Sequence, residues 1–98
     1  MRLRFTPRAL REAKRIKTWW SANRLGSPDL FEEELDDALE RIVATPSLGI
    51  AYGTGRFGVQ VLRLLLAKTE NHVYYAVDDD EIVVLSVWGA PRERGPKL

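Results

Sequence analysis

This chain has few residues with which to do chemistry. Its single histidine, His72, belongs to the one side-chain type whose ordinary pKa, near 6.5, suits proton transfer around neutrality. Arg63 precedes it, and Arg92 and Arg94 follow Trp88 in a tail containing proline and glycine. With no cysteine there is neither a disulfide nor a thiolate metal site, and one histidine does not make a histidine-based one. No cofactor is expected. Gly53-Thr54-Gly55-Arg56-Phe57-Gly58 matches the dinucleotide fingerprint GxGxxG letter for letter. That fingerprint works only with a strand before it, a helix opening at its end and a parallel strand beyond. Here an apolar run follows directly, with no acid at the right distance, so the glycines read as a loop or hairpin that lets a strand turn back.

The elements that must position these residues lie mostly in the last forty positions. Val59 to Leu66, Asn71 to Val77 and Ile82 to Trp88 are short runs rich in Val, Ile, Leu and Tyr, separated by polar breaks. Consecutive antiparallel strands read this way. Asp78-Asp79-Asp80-Glu81 is too acidic to be buried and reads as a solvated hairpin tip. Upstream, Leu3 and Phe5 alternate with Arg2 and Arg4, which suits a short strand with one apolar face. Thr6-Pro7 then caps and starts a helix over about 7–23, with Ala9, Ala13, Ile16 and Trp20 on its inner side. Ser27-Pro28 repeats the device, and Phe31, Leu35, Ala38, Leu39 and Ile42 define a second helix over about 28–44, ended by Thr45-Pro46. The short connection makes an antiparallel hairpin of helices.

Alternation along the strands divides the side chains between two faces. Leu62, Leu64 and Leu66 are assigned to the helices, as are Val73, Tyr75 and Val77, and Val83, Leu85 and Val87. The open face then collects Arg2, Arg4, Arg63, His72, Tyr74, Ser86 and Trp88, a basic and partly aromatic surface. Adjacent Trp19 and Trp20 point about 100° apart on a helix. One is core and the other lies at its margin, where a wide apolar stripe or a partner-binding surface at Trp19 explains it.

The 98 residues allow one small domain spanning 1–98, with a tail from 90 to 98 expected to be flexible. Hydrophobic content of 45% and charged content of 30% fit a folded globular chain. No stretch is long and apolar enough for a membrane span or a signal peptide, so the expected address is the cytoplasm. A net charge of +1 does not suggest a generic polyanion binder. The distribution says more. Residues 1–24 hold Arg2, Arg4, Arg8, Arg11, Lys14, Arg15, Lys17 and Arg24 against Glu12, whereas 29–40 hold Asp29, Glu32, Glu33, Glu34, Asp36, Asp37 and Glu40. Neutralisation across the helical hairpin, or complementary partner surfaces, would account for such blocks.

Taken in order, several segments carry a family likeness. They are Phe5-Thr6-Pro7-Arg8-Ala9, two helices, Thr45-Pro46-Ser47-Leu48-Gly49, Arg63-Leu64-Leu65-Leu66, His72-Val73-Tyr74-Tyr75-Ala76-Val77 and Val84-Leu85-Ser86-Val87-Trp88, with arginines after. Their succession resembles the RelE/ParE toxins of bacterial type II toxin–antitoxin modules. The resemblance implies an α+β domain of order β-α-α-β-β-β, an antiparallel sheet with a two-helix hairpin on one face. It implies a small antitoxin that wraps and silences the chain in a tight heteromeric complex. It also implies one of two activities: RelE-like members cut messenger RNA in the ribosome, and ParE-like members poison DNA gyrase and are not known as enzymes.

A metal-independent nuclease of this kind commonly sets lysines and arginines on the open sheet face, with an aromatic residue or histidine near the end. Arg63 falls near one basic position of that pattern, His72 falls where arginine is common, and Arg92 or Arg94 matches the basic residue after the last strand. Leu65 stands where lysine is frequent, Gly89 where histidine is, and no tyrosine follows Trp88. The nuclease set is incomplete, so the ParE-like reading is preferred: a gyrase-directed toxin that blocks replication and is not an enzyme. Arg63, His72, Trp88, Arg92 and Arg94 are then the expected target contacts, and Arg15, Trp19 and Trp20 the expected antitoxin contacts. The alternative is a ribosome-dependent endoribonuclease using Arg63, His72 and Arg94. A third possibility is a member that has lost toxicity and persists as a binding module.

Overall fold

The computed structural model describes residues 1–55, 58–89, 96 and 98. The elements run β1 (Arg2–Phe5), α1 (Pro7–Asn23), α2 (Leu30–Ala44), a 3-10 turn (Pro46–Leu48), β2 (Ile50–Thr54), β3 (Gln60–Leu66), β4 (Asn71–Asp78) and β5 (Glu81–Gly89). Five strands form one sheet in the order β1-β5-β4-β3-β2. The fold is α+β as expected, with the order β-α-α-β-β-β-β. One strand more than expected comes from the glycine-containing segment, where Ile50–Thr54 pairs antiparallel with β3. The sheet is also mixed, because β1 runs parallel to β5 while β2 to β5 are antiparallel in succession.

Local chemistry sets both helix starts. Thr6 Oγ1 accepts the Ala9 amide at 3.1 Å, satisfying one orphan donor of α1, and Pro7 occupies the first turn where its missing N–H costs nothing. The Thr6 amide bonds the Val84 carbonyl oxygen at 3.0 Å, so the joint between β1 and α1 is fastened to β5. The second helix begins at Leu30, two residues later than Ser27-Pro28 suggests. Ser27 is used instead in a turn, its amide bonding the Arg24 carbonyl oxygen and its carbonyl oxygen accepting the Leu30 amide.

The inner helix stripes, Ala9 and Ala13 with Phe31, Leu35, Ala38 and Ile42, pack on Leu66, Val73, Tyr75, Ile82, Val84 and Val87. Leu62 and Leu64 pack against the same cluster, as their alternation requires. Burying a side chain such as Phe31 or Ile42 stabilises the fold by roughly 1.5–3 kcal/mol.

In β5 the expected faces need correction. Ile82 and Val84 lie in the core, whereas Val83 and Leu85 line the opposite side of the sheet. The register shows why. Tyr74 pairs with Ser86 and Tyr75 with Val84, leaving Leu85 as an extra residue in a β-bulge. A single insertion flips the alternation, so Val87 returns to the core as expected while the residues before the bulge do not.

Three turns use left-handed backbone, one of them at Glu70, φ 58°, between β3 and β4. Asp79 has φ 48° at the exposed acidic tip, a conformation that aspartate tolerates better than most side chains. Gly58 has φ 75° in the link between β2 and β3, where Gly55 and Val59 also bond at 2.7 Å. The GxGxxG glycines therefore fall at the β2–β3 hairpin, and a strand, β3 from Gln60, follows them. Of the expected tail 90–98, Pro96 and Leu98 are among the described residues and the rest lie outside them.

Candidate functional site

Arg63, His72, Tyr74 and Trp88 are brought together on the side of the sheet away from the helices. The register does this directly: Arg63 pairs with Tyr74 across β3 and β4, and His72 with Trp88 across β4 and β5. The rings of His72 and Tyr74 are 5.9 Å apart in an edge arrangement. A fifth member, Tyr52, was not apparent from the sequence. It sits where the β2 register shifts between Ala51 and Gly53, and a bulge of this kind re-aims a side chain. Its ring lies 4.7 Å from that of Tyr74, and the Arg63 guanidinium carbon stands 5.7 Å from its centre. Such a cation–π contact contributes about 0.5–1 kcal/mol at exposed sites and more where water is excluded.

Electrostatics in this cluster favour a single positive centre. Burial, and after it the charge of Arg63, lowers the pKa of His72 from its ordinary 6.5, so the imidazole is held neutral. Burial raises the Tyr74 phenol, Tyr52 adds to the effect, and Arg63 opposes it. Arg63 Nε is buried and finds no acceptor among the described residues. The result is one guanidinium set among neutral aromatic faces, suited to receiving a carboxylate or phosphate beside a flat apolar group.

The rim on the β5 side is built by α1. β1 ends opposite Val84, leaving the rest of that β5 edge to be covered by something else. Glu12 does so: its Oε1 accepts the Ser86 hydroxyl at 2.7 Å and the Val87 amide at 3.2 Å. Arg8 lies 3.5 Å from the same carboxylate and 5.9 Å over the Trp88 ring. Ser86, assigned to the open surface, is instead fully buried beneath this contact. Arg2 and Arg4 are exposed at the β1 edge, where Glu81 pairs with them at 3.8 Å and 2.9 Å. Arg92 and Arg94 lie outside the described residues.

The second candidate surface is on the helices. Trp20 packs against the core, whereas Trp19 is 46% exposed, so of the pair Trp19 is the marginal one. Their rings meet edge to face at 5.8 Å, and Arg24 stacks over both, at 5.0 and 5.7 Å. Arg11, Lys14, Arg15, Thr18, Trp19, Ala22 and Asn23 line an open groove along the outer face of α1. Lys17 and Glu32 form the ion pair that joins the helices, and the Glu32 hydrogen bond and charge raise the Lys17 pKa. Another acid of α2 serves the sheet: Glu34 receives the Lys68 amide at 2.6 Å and the Thr69 amide and hydroxyl at 3.0 and 2.7 Å, tying down the link between β3 and β4.

The two helices thus cover one face of the sheet, and the Arg63 cluster lies on the other. The sequence matches the family model for the ParE toxin of type II toxin–antitoxin systems, parDE, over residues 3–93, and the chain belongs to that family. Among solved structures it is similar to the chromosomal ParDE toxin–antitoxin system from P. aeruginosa, with a TM-score of 0.64, 18% identity, and coverage of 92% of this chain and 96% of that one. At that identity the likeness is one of fold. No curated relative matches the sequence. Among the described residues no helix is long and apolar enough to cross a membrane.

Proposed function

We propose that this ParE-family toxin inhibits DNA gyrase in the cytoplasm, contacting it through the face centred on Arg63, and that a cognate antitoxin neutralises it. The observation that carries the target assignment is the Arg63 environment: a half-buried guanidinium between Tyr52 and Tyr74, with Nε lacking an acceptor among the described residues. Aromatic and arginine side chains of this kind are the usual anchors of protein interfaces. His72 and Trp88 extend the surface, and Arg92 and Arg94 are assigned to the same contact. Metal-independent ribonuclease chemistry needs a group that gives up a proton to the leaving oxygen. The lowered pKa of His72 makes it a poor donor at neutral pH, which favours the binding role.

The antitoxin is assigned to the outer face of α1, at Arg15 and Trp19, while Trp20, expected to join them, packs against the core and supports Trp19 from behind. Exposed Trp19 offers an apolar anchor, and Arg11, Lys14 and Arg15 beside it favour an acidic amphipathic segment.

The decisive experiment is a supercoiling assay with purified gyrase. Wild-type toxin is expected to inhibit, Arg63→Ala to lose most of that inhibition while remaining folded, its melting temperature lowered by only a few degrees through loss of the Tyr52 contact, and added antitoxin to restore supercoiling. Gyrase left untouched by wild-type protein would sink the reading, and codon-linked cuts seen by primer extension on messenger RNA after induction would replace it with the nuclease alternative.

A further inference from the structure

The two helices carry opposite charge on the side they turn away from the sheet. On α1, Arg11, Lys14 and Arg15 are exposed on the face opposite the buried Ala9 and Ala13, and Thr18 and Ala22 continue their row. On α2 the same three- and four-residue spacing sets Glu33, Asp36, Asp37 and Glu40, again exposed, opposite the buried Phe31, Leu35, Ala38 and Ile42. These rows do not neutralise each other within the hairpin. Among the described residues Lys17–Glu32 is the ion pair that joins the helices, and none of the outward groups belongs to another. Like charges three and four positions apart repel along a helix, so each row is relieved by one of opposite sign.

A second copy of the chain supplies that row. The helices lie side by side and antiparallel, clasped by Lys17 and Glu32. Turning a second such layer about a two-fold axis along the seam between the helices sets its α1 over α2 of the first copy, and its α2 over α1. Helices that meet this way run antiparallel. Arg15 and Asp37, the middle residues of α1 and α2, then face each other twice. An axis across the helices would stack like charge on like. Trp19, 46% exposed, lies one turn beyond Arg15 on the outer flank of α1. In the pairing that opposes the charges it overhangs the first turns of the other copy's α2, where Leu30, Glu33, Asp37, Ala38 and Leu66 line a groove of about 270 Å³. Two helices about 25 Å long and about 10 Å apart offer roughly 500 Å² per copy, or about 1,000 Å² in all, the lower end for a specific interface.

We propose that the toxin pairs with itself through this helical layer, α1 of each copy on α2 of the other. Water screens the exposed charges, so they act mainly by choosing partner and orientation, and Trp19 supplies the apolar anchor. Because α2 is itself an acidic amphipathic helix, it takes the α1 face in the manner assigned to the antitoxin, and the two compete. The competition rests on the reading of α1 as the antitoxin surface, whereas the self-pairing does not.

Sedimentation velocity of the purified chain tests the pairing. Wild type should dimerise at micromolar concentration and weaken roughly tenfold between about 0.05 M and about 0.5 M salt, as contacts between exposed charges do. Arg15→Glu and Asp37→Lys should each be monomeric while keeping the wild-type circular dichroism, because each sets like charges face to face. Mixed one to one they should dimerise again, since both facing pairs are then of opposite sign. Trp19→Ala should weaken the dimer several-fold. A monomeric wild type, a dimer indifferent to salt or to these substitutions, or charge variants that stay monomeric on mixing would each overturn the proposal. Energy transfer between differently labelled wild-type copies should fall as antitoxin is added. Transfer that persists with antitoxin bound would keep the self-pairing and refute the assignment of the antitoxin to α1.

Discussion

Glu12 and Ser86 meet at 2.7 Å although they stand at opposite ends of the chain, and the same carboxylate oxygen also receives the Val87 amide. This contact replaces the strand that β1 is too short to provide. Removing the carboxylate leaves a buried hydroxyl and an edge amide without their partner, which costs about 1–3 kcal/mol for each unsatisfied group. Glu12→Ala is therefore expected to lower the urea midpoint substantially with an unchanged m-value, and Glu12→Gln, which keeps one oxygen acceptor, to lose less. Equal midpoints for wild type and Glu12→Ala would show that water serves the β5 edge equally well.

Gly49 and Tyr75 make a second long-range joint. The Gly49 amide donates to Tyr75 Oη at 2.8 Å, and that hydroxyl donates to the Pro46 carbonyl oxygen at 2.8 Å, so the chain leaving α2 is pinned to the sheet. A Cβ at 49 would stand 2.9 Å from Tyr75 Oη and 3.0 Å from the Arg63 carbonyl oxygen, both too close. Gly49→Ala is expected to destabilise by about 1–3 kcal/mol, the usual range for overpacking. Tyr75→Phe removes one of the clashing atoms, so the double variant should lose less than the two single losses added together. Strict additivity in chemical denaturation would refute the steric account.

Much of this arrangement was legible from residue order. Thr6-Pro7 marked the start of α1, the apolar spacing gave both helices, and the alternation in β3 put Leu62, Leu64 and Leu66 toward the helices with Arg63 opposite. What escaped has local causes. The strand Ile50–Thr54 is short and contains a glycine at its bulge, so it lacks the β-branched run that announces a strand. Tyr52 was lost with it. The extra residue at Leu85 leaves no mark in a uniformly apolar run, so alternation alone puts Val83 and Leu85 on the wrong face, and Ser86 is buried by Glu12 rather than by the register. Glu12 looked like a lone acid in a basic block, because its partners are carried on a strand more than seventy positions away.

The carboxylate of Glu34 holds the link between β3 and β4 through two amides and a hydroxyl. Hydrogen bonds to a charged group contribute about 1.5–3 kcal/mol each when well formed, less where water competes. Glu34→Ala should speed amide exchange at Lys68 and Thr69 well beyond its effect on exchange in the core of β4. Lys17→Ala, which breaks an exposed pair, should change the midpoint little, because water and salt screen such pairs. Protected Lys68 and Thr69 amides in Glu34→Ala would show that the turn stands without its anchor.

His72 gives the fold a pH dependence whose sign follows from its surroundings. Burial first, and Arg63 second, lowers its folded pKa below 6.5. As pH falls through about 6.5 the unfolded chain takes up a proton that the folded chain refuses, so stability is fully present above that value and declines on acidification until the folded imidazole also titrates. His72→Gln cannot titrate and should show a shallower loss of urea stability between about pH 7.5 and about pH 5.5, a window above most of the carboxylate titration. Arg63→Ala, which removes the second cause and leaves burial in place, should fall between wild type and His72→Gln. An identical slope in all three proteins would mean that the imidazole is as well hydrated in the fold as out of it, and the cluster around Arg63 would then be more open than its geometry indicates.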